Sequence, residues 1–447
     1  MSSIARSVRP LEPSPGNFTV EAVAQVLPQT WVQEAVNETG SQSHRQRRLP
    51  AVPTVWMVTL LGLFRRLSYV NLLEMLFETG PGRALWGEAP PSSSALTKAR
   101  DRLGVAPLKW LYERSASEWR SQTVGRDFHG RRVFAIDGSS MKLPDTPANR
   151  ACFGAPWAVR GSAAYPQLRL VGLRDVGTRL YCAIRFGPYT SAEVPLARSM
   201  IDEVEPGSMV VMDRNFGSSV LLWELHELRG ADFLVRIRRN IQCRVVDQID
   251  DGDAIVEVQM GGADHRKPPE APKSWLVREI TYQAPRGGQT IRLFTSLMLA
   301  EEVSREELIA LYPDRWEEET GYDEIKTHLC ECTTVNRPVV LRSKLPQRVE
   351  QEIYGLLIAY NAVRVTIAVA AAVADCPPRR VSFTVALERI REAVRDMMQA
   401  ATLRLAERYH QLLIAVARVQ VPRRPDRSNP REVRVRRSRY PLKYAPA

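Results

Sequence analysis

Residues Arg131–Ser140 have the sequence RRVFAIDGSS, a β-branched and aromatic run that stops at Asp137. A second run of this kind, GSMVVMDRNFGSS at Gly207–Ser219, stops at Asp213 and is followed by a helix-like pattern. In open parallel sheets, ligands bind at the carboxyl ends of the strands. If the two strands are neighbours, about 4.8 Å apart, both carboxylates can share one ion. Either aspartate alone is equally typical of a turn or a helix cap, and that alternative stays open.

A third segment, Leu311–Lys326, has the sequence LYPDRWEEETGYDEIK. It spaces a tyrosine, an arginine, a glutamate and a lysine as Y-x2-R-x3-E-x6-K. In an α-helix, Arg315, Glu319 and Lys326 fall within about 40° of one face. One carboxylate flanked by two cations and the phenol of Tyr312 can hold a metal ion and a phosphate together, since the acid binds the metal and the other groups bind phosphate oxygens.

The start of this helix and its other charges bear on that interpretation. Pro313 suits a first helical position, so Tyr312 is predicted at the mouth of the helix. The alternative is an ordinary charged helix with i,i+4 salt bridges. Four further acids show that the helix has charge to spare: Glu317, Glu318, Asp323 and Glu324. The two upstream aspartates favour the metal site, because three convergent carboxylates repel one another unless a divalent cation joins them.

These segments resemble the DDE transposases that carry the YREK signature, the insertion-sequence-four family. The matching stretches are AIDGSSMKLPDTPANRACFG, VVMDRNFGSS and LFTSL…LYPDRWEEETGYDEIK, and the similarity extends from about Arg131 to about Thr366. Two departures are mild. The first acid is followed by Gly-Ser where many members have Gly-Thr, and Asn215 stands where glycine or an acid is frequent. Neither departure removes a metal ligand.

The resemblance implies a transposase that moves an insertion sequence by cut-and-paste DNA cleavage and strand transfer. The metal-binding, catalytic acids would be Asp137, Asp213 and Glu319, with Mg²⁺ as cofactor and Mn²⁺ as a substitute. The residues that contact phosphate would be Tyr312, Arg315 and Lys326. A homodimer would hold terminal inverted repeats and target DNA in a synaptic complex. Two alternatives remain: a transposase-derived DNA-binding protein without catalysis, and a metal-dependent nuclease without strand transfer.

The order of predicted elements indicates an α/β ribonuclease-H-like catalytic core. VFAID, QLRLVGLRD and RLYCAIRFGPY are strand-like, a helix follows at Ser191–Glu203, and VVMD, another helix and ADFLVRIR come next. In that fold the first and fourth strands are neighbours. The predicted division is a helical N-terminal DNA-end-binding domain (1–125), the first part of the core (130–239), a β-rich insertion (240–292), the second part with the catalytic helix (293–378), C-terminal helices (379–421) and a basic tail (422–447).

Charge and cysteine content indicate the partner and the compartment. The 447 residues carry a net charge of +12, which favours an acidic polymer such as DNA. Nine Lys and Arg against two Asp and Glu lie in residues 422–447, where Arg434, Arg436 and Arg437 are predicted to bind DNA. A merely solvated tail is the alternative. Six cysteines give no disulfide framework, which fits a reducing bacterial cytoplasm, with the protein at the nucleoid and away from membranes.

Two smaller features predict further DNA contacts. ALTKARDRLG is a short helix whose outer face would carry Lys98, Arg100 and Arg102, although an ordinary bundle face fits equally well. Trp275, the only tryptophan of the insertion, could stack on a base, but packing within the core of the insertion is the favoured alternative. The apolar segment Gly355–Ala374 contains Asn361 and Arg364 and is predicted to be a buried helix behind the Glu319 helix.

Overall fold

The computed structural model describes residues 20–43, 45, 47–158, 161–162, 165–260, 267–284, 288–330, 341–398 and 404–421. The predicted basic tail, with Arg434, Arg436 and Arg437, lies outside the described residues.

The described residues before 126 form helices joined by short loops. They are α1 (Glu21–Ala24), α2 (Gln29–Glu38), α3 (Ala51–Leu63), α4 (Tyr69–Phe77), α5 (Gly80–Trp86), α6 (Ser93–Leu103) and α7 (Ala106–Ser121). Helix α6 begins as the sequence predicts, because the Ser92 hydroxyl accepts a hydrogen bond from the Ala95 amide at 3.2 Å. It ends at Gly104, whose φ of +73° is a conformation that glycine adopts without strain.

A mixed sheet with flanking helices follows the N-terminal helices. Its first elements are β1 (Asp127–Phe128), β2 (Arg131–Lys142), α8 (Pro147–Phe153), β3 (Trp157–Ala158), β4 (Gly161–Ser162), β5 (Gln167–Asp175), β6 (Tyr181–Pro188), α9 (Glu193–Arg198), β7 (Met209–Met212), α10 (Ser219–Trp223) and β8 (Asp232–Arg236). The short β3–β4 hairpin and α8 were not predicted, and they lie between the first and second strands of the predicted core.

The strand order places the first and fourth predicted strands side by side, as expected. The order is β6-β5-β2-β7-β8, with β2 antiparallel to β5 and parallel to β7. Ile136 pairs with Met212, so Asp137 and Asp213 follow at the same edge of the sheet. One expectation is wrong: β2 does not stop at Asp137. It continues to Lys142, because the longer strand β5 still offers it backbone partners beyond the end of β7.

The β-rich insertion extends the same sheet. Its strands are β9 (Cys243–Asp250), β10 (Asp253–Gln259), β11 (Ser274–Gln283) and β12 (Thr290–Thr295), and they correspond to the four strand-like segments of the sequence. They pair antiparallel in the order β12-β11-β10-β9. Strand β12 also pairs with β8, where Leu293 lies opposite Arg236. The insertion is therefore joined to the central sheet by a backbone hydrogen-bond ladder.

The remaining helices are α11 (Arg305–Leu311), α12 (Trp316–Asp323), α13 (Pro346–Val373), α14 (Phe383–Met398) and α15 (Leu405–Ala417). Helices α13, α14 and α15 share one hydrophobic core with the N-terminal helices. Helix α3 packs closely on α13 at Gly62 and Gly355, where a Cβ on either residue would collide with the facing backbone. The C-terminal helices, whose packing the sequence left open, thus lie against the body of the same chain.

Helix α13 is the predicted buried helix. Its length and composition would allow it to cross a membrane, yet 78% of its most apolar window is buried inside the protein. Asn361 and Arg364 within it are fully buried. The Asn361 side-chain oxygen accepts a hydrogen bond from the Tyr181 amide at 3.0 Å, so this polar group is satisfied by the sheet.

Candidate active site

Three carboxylates interact at the edge of the sheet where β2 and β7 run side by side. Asp137 lies on β2, Asp213 directly follows β7, and Glu319 lies on α12. Burial raises the pKa of Asp137 to about 7, and the negative charges of Asp213 and Glu319 contribute to the rise. The Gly138 amide, which donates to Asp137 Oδ1 at 2.7 Å, and the Arg315 guanidinium act in the opposite direction. The predicted trio is therefore close enough to form one electrostatic unit.

Each aspartate also makes the local hydrogen bond that the alternative interpretation predicted. Asp213 caps the 3₁₀ turn Arg214–Phe216, because its Oδ1 accepts from the Asn215 amide at 2.7 Å. Such caps use one carboxylate oxygen, and a carboxylate can accept further ligands at its remaining lone pairs. The capping role and a second role are compatible.

The chemistry of the three groups fits a hard divalent cation, which prefers carboxylate oxygens. The repulsion that raises the pKa of Asp137 is what a cation between the groups would relieve. Within the described ranges, no group of three or more His, Cys, Asp or Glu side chains is arranged with ligand geometry. The donor set therefore fits a divalent metal by type and by charge, and its side chains would have to rotate to bind one.

The signature segment is less regular than the sequence predicted. The capping box of Ser304 and Glu307 starts α11, as expected, with the Ser304 amide donating to Glu307 Oε2 at 2.9 Å. Helix α11 then continues through a 3₁₀ turn, Tyr312–Arg315, into α12 and a π-helical turn, Glu324–Leu329. The expectation that Pro313 starts a separate helix with Tyr312 at its mouth is wrong. Proline is tolerated here because a tighter turn already interrupts the α-helical ladder.

Tyr312 and Arg315 lie together beside the carboxylates. The Arg315 guanidinium is 5.5 Å from the centre of the Tyr312 ring, and its Nη1 is 3.6 Å from Glu319 Oε1. Burial raises the pKa of Tyr312 to about 12, against the opposing charges of Arg315 and Arg236. The Tyr312 hydroxyl and Arg315 Nε are buried without a hydrogen-bond partner among the described residues. Two donors are therefore available here to an anion.

Lys326 reaches the same site from the π-helical turn. Its amino group donates to the Ser139 hydroxyl on β2. Burial lowers the pKa of Lys326 to about 8, while the negative charge of Asp137 opposes this shift. Tyr322, which the sequence interpretation missed, donates its hydroxyl to the Asp137 carbonyl at 2.8 Å and so fixes α12 on β2. The predicted arginine, glutamate and lysine thus face one region of β2.

A cluster of buried arginines holds the signature segment from behind, and we call it the arginine cluster. It consists of Arg174, Arg179 and Arg364 around Glu324. Arg174 Nη2 and Arg179 Nη1 lie 3.3 Å and 3.1 Å from the Glu324 carboxylate. Burial alone would raise the pKa of Glu324, but the three arginines lower it to about 2. Glu324 is therefore a structural anchor, and its description as spare surface charge is wrong.

The further predicted DNA contacts have mixed positions. Lys98 and Arg102 are exposed on α6, and Arg102 Nη2 also donates to the Leu49 carbonyl at 3.2 Å. Arg100 is wrongly assigned to the outer face, because it is buried and its Nε donates to Gln351 on α13 at 3.0 Å. The 3.6-residue period of α6 turns this arginine inward, where polar groups of α13 satisfy it.

Trp275 lies in the insertion on β11, with one face toward the core. Its ring centre is 5.8 Å from that of Phe233 and 6.5 Å from that of His226. It is half-buried and packs against two of the hydrophobic clusters. This position favours the packing alternative over a stacking platform.

Two family models match the chain: insertion element 4 transposase N-terminal at residues 17–113, and transposase DDE domain at residues 128–362. The transposase InsG for insertion sequence element IS4 of Escherichia coli (strain K12) is 30% identical over 418 residues, which cover 92% of this chain and 91% of that protein. The putative transposase InsZ of the same strain is 31% identical over 245 residues, which cover 54% of this chain and 78% of that protein.

Among solved structures, the cryo-EM structure of a piggyBac transposase synaptic complex with hairpin DNA matches 96% of this chain and 89% of that chain. The sequence identity is 11% and the TM-score is 0.42.

Proposed function

This chain belongs to the insertion-sequence-four family of DDE transposases, and from that premise we propose that Asp137, Asp213 and Glu319 are its catalytic, metal-binding acids. As a transposase, it binds DNA, cleaves it and transfers strands. The observation that carries the proposal is the pairing of Ile136 with Met212, which brings the first two acids to one edge of the sheet. The electrostatic effect of Asp213 and Glu319 on Asp137 supports it.

The proposed core is ribonuclease-H-like. The strand order β6-β5-β2-β7-β8 supports this assignment, because it has the antiparallel second and third strands and the parallel fourth and fifth strands of that fold. The domain division proposed from the sequence goes with it: residues 130–239 and 293–378 form the core, 240–292 form the insertion, and the helical parts lie on either side.

The DDE transposase domain works with a divalent metal, and we assign Mg²⁺, with Mn²⁺ as a substitute, to the three carboxylates. When bound, the metal lowers the pKa of the attacking water and stabilises charge on the leaving oxygen. The three acids supply the ligand charge. The metal-free cluster is held apart from neighbouring cations by α12, and Arg315 already partly neutralises Glu319.

Tyr312, Arg315 and Lys326 are proposed to bind the phosphate that reacts. The unpartnered Tyr312 hydroxyl and Arg315 Nε are donors that a phosphate oxygen can satisfy. The raised pKa of Tyr312 keeps its hydroxyl protonated near neutral pH, so it acts as a donor and not as a nucleophile. Positioning and charge neutralisation are the main contributions that a protein makes to such a displacement.

The wider proposal is cut-and-paste transposition by a homodimer in a synaptic complex with the terminal inverted repeats and target DNA. The N-terminal helices, through Lys98 and Arg102, and the tail, through Arg434, Arg436 and Arg437, are the proposed sites of additional DNA contact. Action at the bacterial nucleoid in the cytoplasm follows from a DNA substrate in a bacterial host.

Neutral substitutions of the acids test the site. Asp137→Asn, Asp213→Asn and Glu319→Gln are each expected to lower Mg²⁺-dependent cleavage of a supercoiled plasmid carrying the element by about 10³-fold or more, since metal stabilisation is worth several kcal/mol. Asp323→Asn is the matched control, because this acid lies on the same helix and its side chain is 62% exposed. A gel-shift assay with a DNA end should show unchanged binding. Near-normal cleavage by any one variant removes that residue from the proposed site.

A further inference from the structure

A second group of arginines lines an open groove of about 380 Å³ next to Asp213, and we call it the basic groove. Its arginines are Arg214, Arg236, Arg238, Arg239 and Arg292, and none of its lining residues is acidic. The groove begins at the turn that follows β7, passes the end of β8 and reaches the start of β12. It therefore connects the proposed active site with the insertion.

Four of these five arginines lack a carboxylate partner. Within the described part of the chain, no acidic side chain lies within 4.0 Å of Arg214, Arg236, Arg238 or Arg239, and Arg292 alone is paired, with Glu279. Arginines elsewhere on the sheet are paired with acids: Arg131 with Asp232, Arg132 with Asp175, Arg169 with Glu193, and Arg198 with Glu224.

A groove between α14 and α15 provides an internal comparison. It has about 510 Å³, and its three arginines are balanced by three acids: Arg389, Arg404 and Arg408 with Glu392, Asp396 and Glu407. A solvated, mixed-charge surface of this kind needs no partner. Five converging positive charges with one acid among their neighbours repel one another, and an external anion would relieve that repulsion.

The basic groove is continuous with the groups that are proposed to hold the reacting phosphate. Arg214 and Asn215 directly follow Asp213, and Arg238 Nη2 lies 3.3 Å from Asn215 Oδ1. The charge of Arg236 acts on the hydroxyl of Tyr312, on the other side. A polyanion that places one phosphate at Tyr312 therefore has the next positive charges along a single path toward β12.

We propose that the basic groove binds the phosphodiester backbone of the DNA strand that continues from the reacting phosphate toward the insertion. The proposal rests on the proposed function, since it takes the position of that phosphate from Tyr312 and the acids. The planar guanidinium group matches phosphate geometry with two parallel hydrogen bonds. Contacts of this kind fix the register of DNA without reading its sequence.

The test is the salt dependence of DNA binding by the full chain carrying Arg238→Gln and Arg239→Gln. The probes are a labelled duplex of mixed sequence and the matching single strand, each titrated over a range of salt concentrations in buffer with a chelator. Each lost phosphate contact should reduce the slope of log affinity against log salt by about 0.9 for duplex and about 0.7 for single strand. The double variant should thus lose about 1.8 or about 1.4.

The matched control is Arg389→Gln with Arg408→Gln, which removes the same charge from the mixed-charge groove. Its slope should remain within about 0.5 of the unmodified chain, because removal of a distant charge releases no additional counterion. A loss of slope in the basic-groove variant on either probe, beyond that of the control, supports the proposal and identifies the form of DNA bound. Equal slopes for both double variants on both probes overturn it.

The chelator separates this result from the test of the acids. Near-normal cleavage by Asp137→Asn would refute the catalytic assignment and leave the salt slopes to decide the basic groove. Equal slopes with a complete loss of cleavage by Asp137→Asn would refute the basic groove and leave the catalytic assignment standing.

Discussion

The arginine cluster and the basic groove use the same side chain under opposite conditions. In the arginine cluster, Arg174 and Arg364 are fully buried and bound to Glu324. In the basic groove, Arg238 and Arg239 are exposed and have no acidic neighbour within the described residues. A buried arginine without an acid would be prohibitively costly, so the first group serves the fold. An exposed arginine without an acid costs little, so the second group is available to a ligand.

The arginine cluster lies directly behind the proposed active site. Arg174 also donates to the Glu317 carbonyl, and Arg179 pairs with the Glu317 carboxylate. Glu317 and Glu324 lie on either side of Glu319 on the signature segment. The strands β5 and β6, with α13, thereby fix the helix that presents Glu319 and Lys326 to β2.

The largest expected effect comes from Glu324→Gln. Removing the one negative charge leaves three buried guanidinium groups without compensation, so the free energy of unfolding should fall by about 3–5 kcal/mol. Urea denaturation followed by circular dichroism measures it. Glu306→Gln is the control, because its side chain is 74% exposed and its change should remain within about 0.5 kcal/mol. A loss below about 1 kcal/mol for Glu324→Gln would show that the cluster does not stabilise the fold.

A smaller effect is expected from Gly321→Ala. A Cβ at this position would collide with the guanidinium of Arg174, which is fully buried and cannot move aside into solvent. Overpacking of this kind costs about 1–3 kcal/mol. Gly80→Ala is the control, since a Cβ there meets no atom within 4 Å, and it should be neutral or stabilising by up to about 1 kcal/mol. Equal melting temperatures for the two variants would indicate that Arg174 is free to reorient.

The smallest effect on stability is expected from the basic-groove variant. Arg238→Gln with Arg239→Gln breaks no ion pair with the described residues, so the free energy of unfolding should change by no more than about 0.5 kcal/mol. The same urea titration measures it. A loss approaching that of Glu324→Gln would place these arginines with the structural group and remove the distinction between the two regions.

The edge of the sheet that carries Asp137 and Asp213 could be predicted because its information is local. Each strand has a short apolar run that ends in an acid, and the order of elements determines which strands are neighbours. The four strands of the insertion were also predictable from their patterns. Their continuity with the central sheet was not, because the pairing of β8 with β12 joins segments separated by more than fifty residues.

The role of Glu324 was hidden for the same reason. Arg174 and Arg179 precede it by 150 and 145 residues, and no local pattern links them. A weak signal existed in QLRLVGLRD, where Arg174 stands in a strand of otherwise buried apolar residues. Arg100 has the same explanation, since its partner Gln351 lies 251 residues away. The arginines of the basic groove had a clearer signal, the run RIRRN after strand β8.

The unbroken ladder from β7 to β9 fixes a length. Five strand spacings separate these two strands, which amounts to about 24 Å across the sheet. At about 3.4 Å per base pair, that span corresponds to about seven base pairs of duplex. Any duplex that lies across this surface from Asp213 meets the outermost strand at a set number of steps from the cut. Backbone hydrogen bonds, and not a flexible linker, determine that interval.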